Sequence, residues 1–178
     1  TINVLLVYLL ARRYFAATRD TPRAMLPLAS AFLYAIHPSL VEATAWVSGR
    51  FDLMVTTFIL ASACLALSAR IDTRAKALAI FMTTLGALFS KELGIVIPGI
   101  LACLWLATEN PPKIFSRETL ARFARSGLPT VGASALACIA YLIIRRLSMH
   151  EIYHEKIELP SVLTTVFMEG TPFQALAF

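Results

Sequence analysis

The sequence predicts an all-α membrane protein, a polytopic bundle of about six transmembrane helices. Of its 178 residues, 58% are apolar and 15% are charged, whereas soluble domains average roughly 45–50% apolar and 25% charged residues. The mean hydropathy is +0.71, and the apolar residues fall in stretches that short polar segments separate. This composition excludes a disordered chain, a collagen-like chain and a coiled coil.

The apolar stretches are the candidate spans, since a straight transmembrane helix needs about 20 predominantly apolar residues. They cover 2–11, 24–36, 53–69, 77–89, 93–108 and 128–144. The third and sixth approach the required length, and flanking polar residues would have to complete the second and fourth. Because an apolar run begins directly at Ile2, we expect one membrane domain over 1–178 that is a fragment of a longer protein.

Basic residues are distributed unevenly among the polar segments. Three segments hold eleven of the 16 basic residues and four acidic ones, and the others hold five basic and seven acidic ones. The basic-rich segments are 12–23, 70–76 and 109–125. The two kinds alternate along the chain, as expected for spans that keep Lys and Arg in the cytoplasm. We therefore predict that 37–52, 90–92 and the tail 145–178 are external. The net charge of +5 then reflects topology, and no nucleic-acid partner is expected.

The same rule divides the apolar region 77–108. One continuous helix would place the basic segment 113–125 outside, whereas a hairpin that turns at 90–94 keeps it inside. We therefore predict the hairpin, and we expect 120–127 to form an interfacial helix.

The external segment 37–52 contains four ionisable residues in an otherwise apolar context: His37, Glu42, Arg50 and Asp52. An ionisable residue at membrane depth costs about 2.5–3.5 kcal/mol on insertion scales, so such residues face a cavity or one another. The segment could instead be an interfacial loop with solvated charges. Tyr8, Tyr14, Tyr34 and Trp105 are expected to be packing or interfacial residues.

A second external pair, Lys91 and Glu92, falls at the predicted turn, where it could also be a solvated hairpin tip. If both segments border one surface, the cations Arg50 and Lys91 suit a phosphate ester. The acids there suit the orientation of a cation, sugar hydroxyls or proton transfer.

Two strings of residues from these segments resemble a known family. They are His37-Pro38-x-x-x-Glu42-Ala43-x-Ala45-Trp46-Val47-Ser48-Gly49-Arg50-x-Asp52-Leu53 and Ser90-Lys91-Glu92-x-Gly94-Ile95. Together they resemble the transmembrane O-mannosyltransferases with tetratricopeptide repeats and their bacterial relatives, in the type C glycosyltransferase superfamily. The resemblance covers residues 1–145.

The resemblance implies an enzyme that moves a sugar from a polyprenyl-phosphate carrier to an acceptor on the external face. It implies that Arg50 and Lys91 contact the carrier phosphate. The residues implied to shape this site or to support those cations are His37, Glu42, Asp52 and Glu92. The family's catalytic acid lies in the first external loop, after the first span, and this chain resembles the family from the second span onward. We therefore expect the first span, that loop and its catalytic base to lie upstream of Thr1, and a further part to follow at the C-terminus. The catalytic residue is therefore unknown.

The resemblance also implies the partners and the location. The partners are a polyprenyl-phosphate sugar donor, an acceptor protein or glycan, and membrane lipids, with a larger membrane assembly left open. The implied location is a bacterial inner membrane, in which the protein is integral and its site faces the periplasm or exterior. No cofactor is required by the residues, and a divalent metal is left open.

Two alternatives come from other residues. His150-Glu151-Ile152-Tyr153-His154 matches the H-E-x-x-H pattern of zinc metalloproteases. Its charged flanks, the nearby Pro160 and the lack of a convincing third ligand favour a solvated segment, so we predict no metal site. Pro98-Gly99 and the short spans are compatible with the broken helices of a transporter. A transporter or a non-catalytic membrane subunit is therefore the main alternative function.

Overall fold

A computed structural model describes residues 2–18, 25–38, 40, 43, 46, 49–111 and 116–154, with the backbone alone for 149–154. The regular elements in these ranges are all helices, so the predicted all-α class is confirmed. The chain divides into two units, Thr1–Tyr141 and Leu142–Phe178. The described part of the second unit is the end of one helix, and the single membrane domain stays a prediction.

The helices follow the apolar stretches of the sequence. In chain order they are α1 (Ile2–Ala17), α2 (Met25–Ala35), α3 (Gly49–Ala66), α4 (Thr73–Ser90), a 3-10 helix (Glu92–Val96), α5 (Ile97–Glu109), α6 (Arg117–Arg122), a π-helix (Phe123–Gly127) and α7 (Leu128–His154). The segment predicted to be interfacial, 120–127, is thus helical.

Three helical segments are long and apolar enough to cross a membrane: Gly49–Ala66, Glu92–Glu109 and Arg117–Ser148. α2 is a shorter apolar helix. α4 carries Arg74 and Lys76 in its first turn, and α1 carries two arginines in its C-terminal half. Three candidate spans are therefore present among the described residues, and the six of the sequence prediction are not confirmed.

The predicted turn between 90 and 94 is confirmed. α4 ends at Ser90, and Lys91 is extended, with φ −161° and ψ 144°, before the 3-10 helix begins. Thr73 at the start of α4 and Thr108 near the end of α5 line one cleft. Because α4 starts where α5 ends, the two helices run in opposite directions.

Contacts between the helices define the direction of the others. α1 runs parallel to α3, since Asn3 bonds to Leu53 near the start of α3 and Arg13 bonds to Cys64 near its end. The ring of Tyr141 in α7 packs edge-on against Phe89 at the end of α4, with ring centroids 5.6 Å apart. Since Trp105 Nε1 near the end of α5 donates to Ser126 Oγ just before α7, α7 runs antiparallel to α5.

α3 contacts α1, α4 and α5, whereas α2 packs on α1. The buried core joins Val55 of α3 to α4 and α5; its other members are Ile80, Ala87, Ile97 and Leu101. A polar contact reinforces this packing, because the hydroxyls of Ser62 in α3 and Thr83 in α4 lie 2.8 Å apart. Small residues and hydroxyl bonds of this kind join helices in membranes, where apolar burial provides little driving force.

Large apolar side chains also cover the outer faces of the helices. Leu78 is 63% exposed, Phe32 is 63% exposed and Ile139 is 54% exposed. An apolar surface of this extent is unusual for a soluble monomer. It is what helices in contact with lipid present, and it agrees with the three candidate spans.

Gly94 offers a test of the turn. A Cβ added there would lie 2.8 Å from the backbone nitrogen of Leu88, so Gly94→Ala should destabilise the fold by about 1–3 kcal/mol. Gly99 in α5 is the matched control, because a Cβ there meets nothing within 4 Å. Gly99→Ala should leave stability within about 1 kcal/mol of the parent, or raise it. Thermal unfolding in detergent measures both, and equal losses would contradict the close contact at Gly94.

Candidate functional site

The alternating helices sort the charged segments to opposite ends of the bundle. One end, called here the basic end, carries Arg12, Arg13, Arg70, Lys76 and Arg125, which line two clefts around the end of α3. The other end, called the motif end, carries Tyr34, His37, Asp52 and Lys91. α3 separates the ends by about 27 Å at 1.5 Å per residue. The described parts of 37–52 and 90–92 thus share the motif end, and the described parts of 12–23, 70–76 and 109–125 share the basic end.

An ion pair joins the two resembling strings at the motif end. Lys91 Nζ donates a hydrogen bond to Asp52 Oδ1, across 39 positions of sequence. Asp52 lies in the first turn of α3, where a carboxylate interacts favourably with the helix dipole. Lys91 follows the last residue of α4. The antiparallel packing of α3 and α4 therefore brings the two strings together.

The Lys91–Asp52 pair contributes little to the stability of the fold. The side chains of Lys91 and Asp52 are 48% and 45% exposed, and an exposed pair contributes about 0–1 kcal/mol. Because an ammonium has three N–H donors, the bond to Asp52 leaves Lys91 able to bind a further anion. Asp52 thus pairs with a cation that lies at the surface.

An open cleft of about 400 Å³ lies beside the pair. Asp52 is common to both, since it lines the cleft with Tyr34 and His37. The remaining lining residues are Leu40, Ala43, Leu53 and Thr56. The cleft therefore has mainly apolar walls and a few convergent polar groups, the usual composition of a small-molecule site.

The structure places the other predicted site residues as follows. Arg50 is exposed at the second position of α3 and is not among the residues that line the cleft. Glu92 is exposed at the start of the 3-10 helix. Glu42 lies outside the described residues. Among the six predicted residues, the structure therefore brings His37, Asp52 and Lys91 together.

Two glycines of the strings are required by close backbone approach. A Cβ on Gly49 would lie 2.7 Å from the carbonyl oxygen of Ala43, and one on Gly94 would lie 2.9 Å from the carbonyl carbon of Ala87. Both distances are too short for a real Cβ. Gly49 thus lets the chain before α3 fold against the helix start, and Gly94 lets the turn after Lys91 close.

Sequence reasoning missed Asn3 and the role of Tyr34. Asn3 is 6% exposed; its Nδ2 donates to the carbonyl of Leu53 at 3.1 Å, and its Oδ1 accepts from Thr57 Oγ1 at 2.7 Å. Tyr34, which was expected to be a packing or interfacial residue, lines the cleft. Asn3 therefore ties α1 to the start of α3. A lone Asn in an apolar stretch is the signal that could have found it.

No group of three or more His, Cys, Asp or Glu side chains that could hold a metal occurs among the residues searched, which are the described ones. The backbone of 150–154, which carries the H-E-x-x-H pattern, is helical and forms the end of α7. Most of the predicted external tail 145–178 lies outside the described residues. The absence of a metal site stays a prediction.

No protein-family model matches this sequence, and no curated protein and no solved structure matches it either. The residues of the motif end are therefore what indicates a function for this chain.

Proposed function

We propose that this chain is part of an integral-membrane glycosyltransferase, similar to the type C superfamily. It transfers a sugar from a polyprenyl-phosphate carrier to a protein hydroxyl, a glycan or a lipid at the external face. The observation that supports this best is the contact of Lys91 with Asp52. It joins the two resembling strings beside a cleft of suitable chemistry.

The proposal places the helices in a bilayer as about six spans with alternating direction. The short helices α1, α2 and α4 span together with the polar residues that flank them. The basic end faces the cytoplasm, because Lys and Arg accumulate on that side. The motif end then faces the periplasm or the exterior of a bacterial inner membrane.

A polyprenyl-phosphate sugar suits a site at this position. Its lipid stays in the hydrocarbon region, and its phosphate lies at the surface, at the level of the helix ends. Asp52 orients Lys91, and Arg50 is exposed in the same first turn of α3 as Asp52. Both cations bind the phosphate oxygens. An Arg contributes a bidentate fork and a Lys contributes a point charge.

The cleft beside the pair accepts the sugar. Its volume of about 400 Å³ lies within the range of about 300–1,000 Å³ that small-molecule sites occupy. Tyr34, His37 and Asp52 offer donors and acceptors for sugar hydroxyls, and Glu42 and Glu92 complete the set that the resemblance implies.

The reaction is a displacement at the anomeric carbon. The acceptor oxygen forms a bond to that carbon, the bond from carbon to phosphate oxygen breaks, and the acceptor proton passes to a general base. Polyprenyl phosphate is the leaving group, and its negative charge increases in the transition state. Lys91 and Arg50 accelerate the step because they stabilise the transition state, in which that charge is larger, more strongly than the ground state.

Loss of either cation should therefore abolish transfer without unfolding the protein. Lys91→Ala and Arg50→Ala should each lower the rate about 10²–10³-fold, the usual effect of removing a donor to developing charge. The assay follows a labelled sugar from polyprenyl-phosphate mannose into acceptor in membranes that contain the protein, with thermal unfolding as the check of folding.

Arg74→Ala is the matched control, since Arg74 is exposed in the first turn of α4, at the other end of that helix from Lys91. It should keep full activity. Full activity of both the Lys91 and the Arg50 variants would remove the phosphate assignment.

Single cysteines test the proposed sidedness. In a background with Cys64, Cys103 and Cys138 replaced by Ala, Lys91→Cys should react with an impermeant maleimide added to intact cells. Arg70→Cys should react only after the cells are made permeable, because α3 and α4 place these two exposed positions at opposite ends. Labelling of both positions from one side would contradict the topology.

A further inference from the structure

A cleft at the basic end takes no part in the proposed transfer. It has a volume of about 500 Å³ and lies between the C-terminal half of α1 and the segment that follows α3. Arg12, Arg13 and Arg70 line it, and none of the described residues that line it is acidic. Three guanidinium groups without a lining carboxylate make this a site for an anion.

The three arginines have different roles. Arg13 Nη1 donates to the carbonyl oxygen of Cys64, in the last turn of α3, where carbonyls have no partner within the helix. Arg13 therefore fixes one wall of the cleft by joining α1 to α3. Arg12 and Arg70 are exposed, one on each side of the cleft, and can turn toward a ligand between them.

Apart from Ser68, the rest of the lining is apolar, and it includes Leu9, Ala16 and Leu67. A cleft with guanidinium groups at a helix end and an apolar wall along the helix matches a lipid, which has a phosphate at the surface and hydrocarbon below. Guanidinium forks bind phosphate oxygens bidentately. Basic pockets between transmembrane helices on the cytoplasmic side are known to hold anionic head groups.

We propose that this cleft binds the phosphate of an anionic membrane phospholipid. The proposal depends on the helices lying in a bilayer and is independent of the transferase activity. The bound lipid bridges α1 and the end of α3, on the side of the membrane opposite the sugar-transfer site.

Native mass spectrometry of the detergent-purified protein tests this with dioleoylphosphatidylglycerol as the probe. The double variant Arg12→Gln with Arg70→Gln should lower the affinity at least about tenfold, because two cations near the phosphate are lost. Lys76→Gln with Arg125→Gln is the matched control, since it removes two cations from the other cleft of the same end. The control should change the affinity less than about threefold.

Further arms separate the sources of the anion. Dioleoylphosphatidylcholine, which carries no net charge, should bind the parent protein at least about tenfold more weakly. Inorganic phosphate at the concentration of the lipid should not displace the phosphatidylglycerol. Displacement by inorganic phosphate, equal binding of the two lipids, or equal losses in the two double variants would each overturn the proposal.

Single variants keep the test decisive if the double variant does not fold. Arg12→Gln and Arg70→Gln alone should each lower the affinity about threefold, with the unfolding temperature of the parent, because both side chains are exposed. Unchanged affinity in both would also overturn the proposal. A failure here would leave transfer by Lys91 and Arg50 unaffected, so the two proposals fail separately.

Discussion

The reversal of the chain after Lys91 is the constraint on which the rest of the structure depends. α4 ends at Ser90, and Lys91 is extended. Gly94 packs directly against the last turns of α4. A side chain at position 94 would prevent this close approach. Because the chain turns back here, α5 packs beside α3, and the ammonium of Lys91 meets Asp52 at the start of α3.

α3 converts this reversal into two chemically different ends. α1 lies parallel to it, and α4 antiparallel, so basic segments far apart in sequence gather at its C-terminal end, while Asp52 and Lys91 meet at its N-terminal end. Hydroxyls and small residues in the middle of the bundle let the helices approach closely. The positions of the charges, rather than a large buried core, therefore distinguish the basic end from the motif end.

Much of this architecture could be predicted because hydropathy and charge sign are properties of whole segments. The apolar stretches predicted the helices, and the alternation of basic segments predicted the turn at 90–94. The number of spans could not be predicted from the sequence, since α1 and α4 include charged residues that interrupt their apolar character. Specific hydrogen-bond partners could not be predicted either. The bonds of Asn3 to Leu53 and Thr57 depend on how α1 lies against α3, and no local pattern encodes that. No local pattern encodes the position of Tyr34 at the cleft either.

The central proposal is that Asp52 and Lys91, 39 positions apart, join two strings into one phosphate-binding site at the motif end. The most direct measurement is photocrosslinking of the membrane-embedded protein with a photoreactive polyprenyl phosphate, followed by mapping of the modified peptides by mass spectrometry. We expect modification in residues 34–56 and at 91–94 together. Modification confined to the basic end, around Arg12 and Arg70, would contradict it.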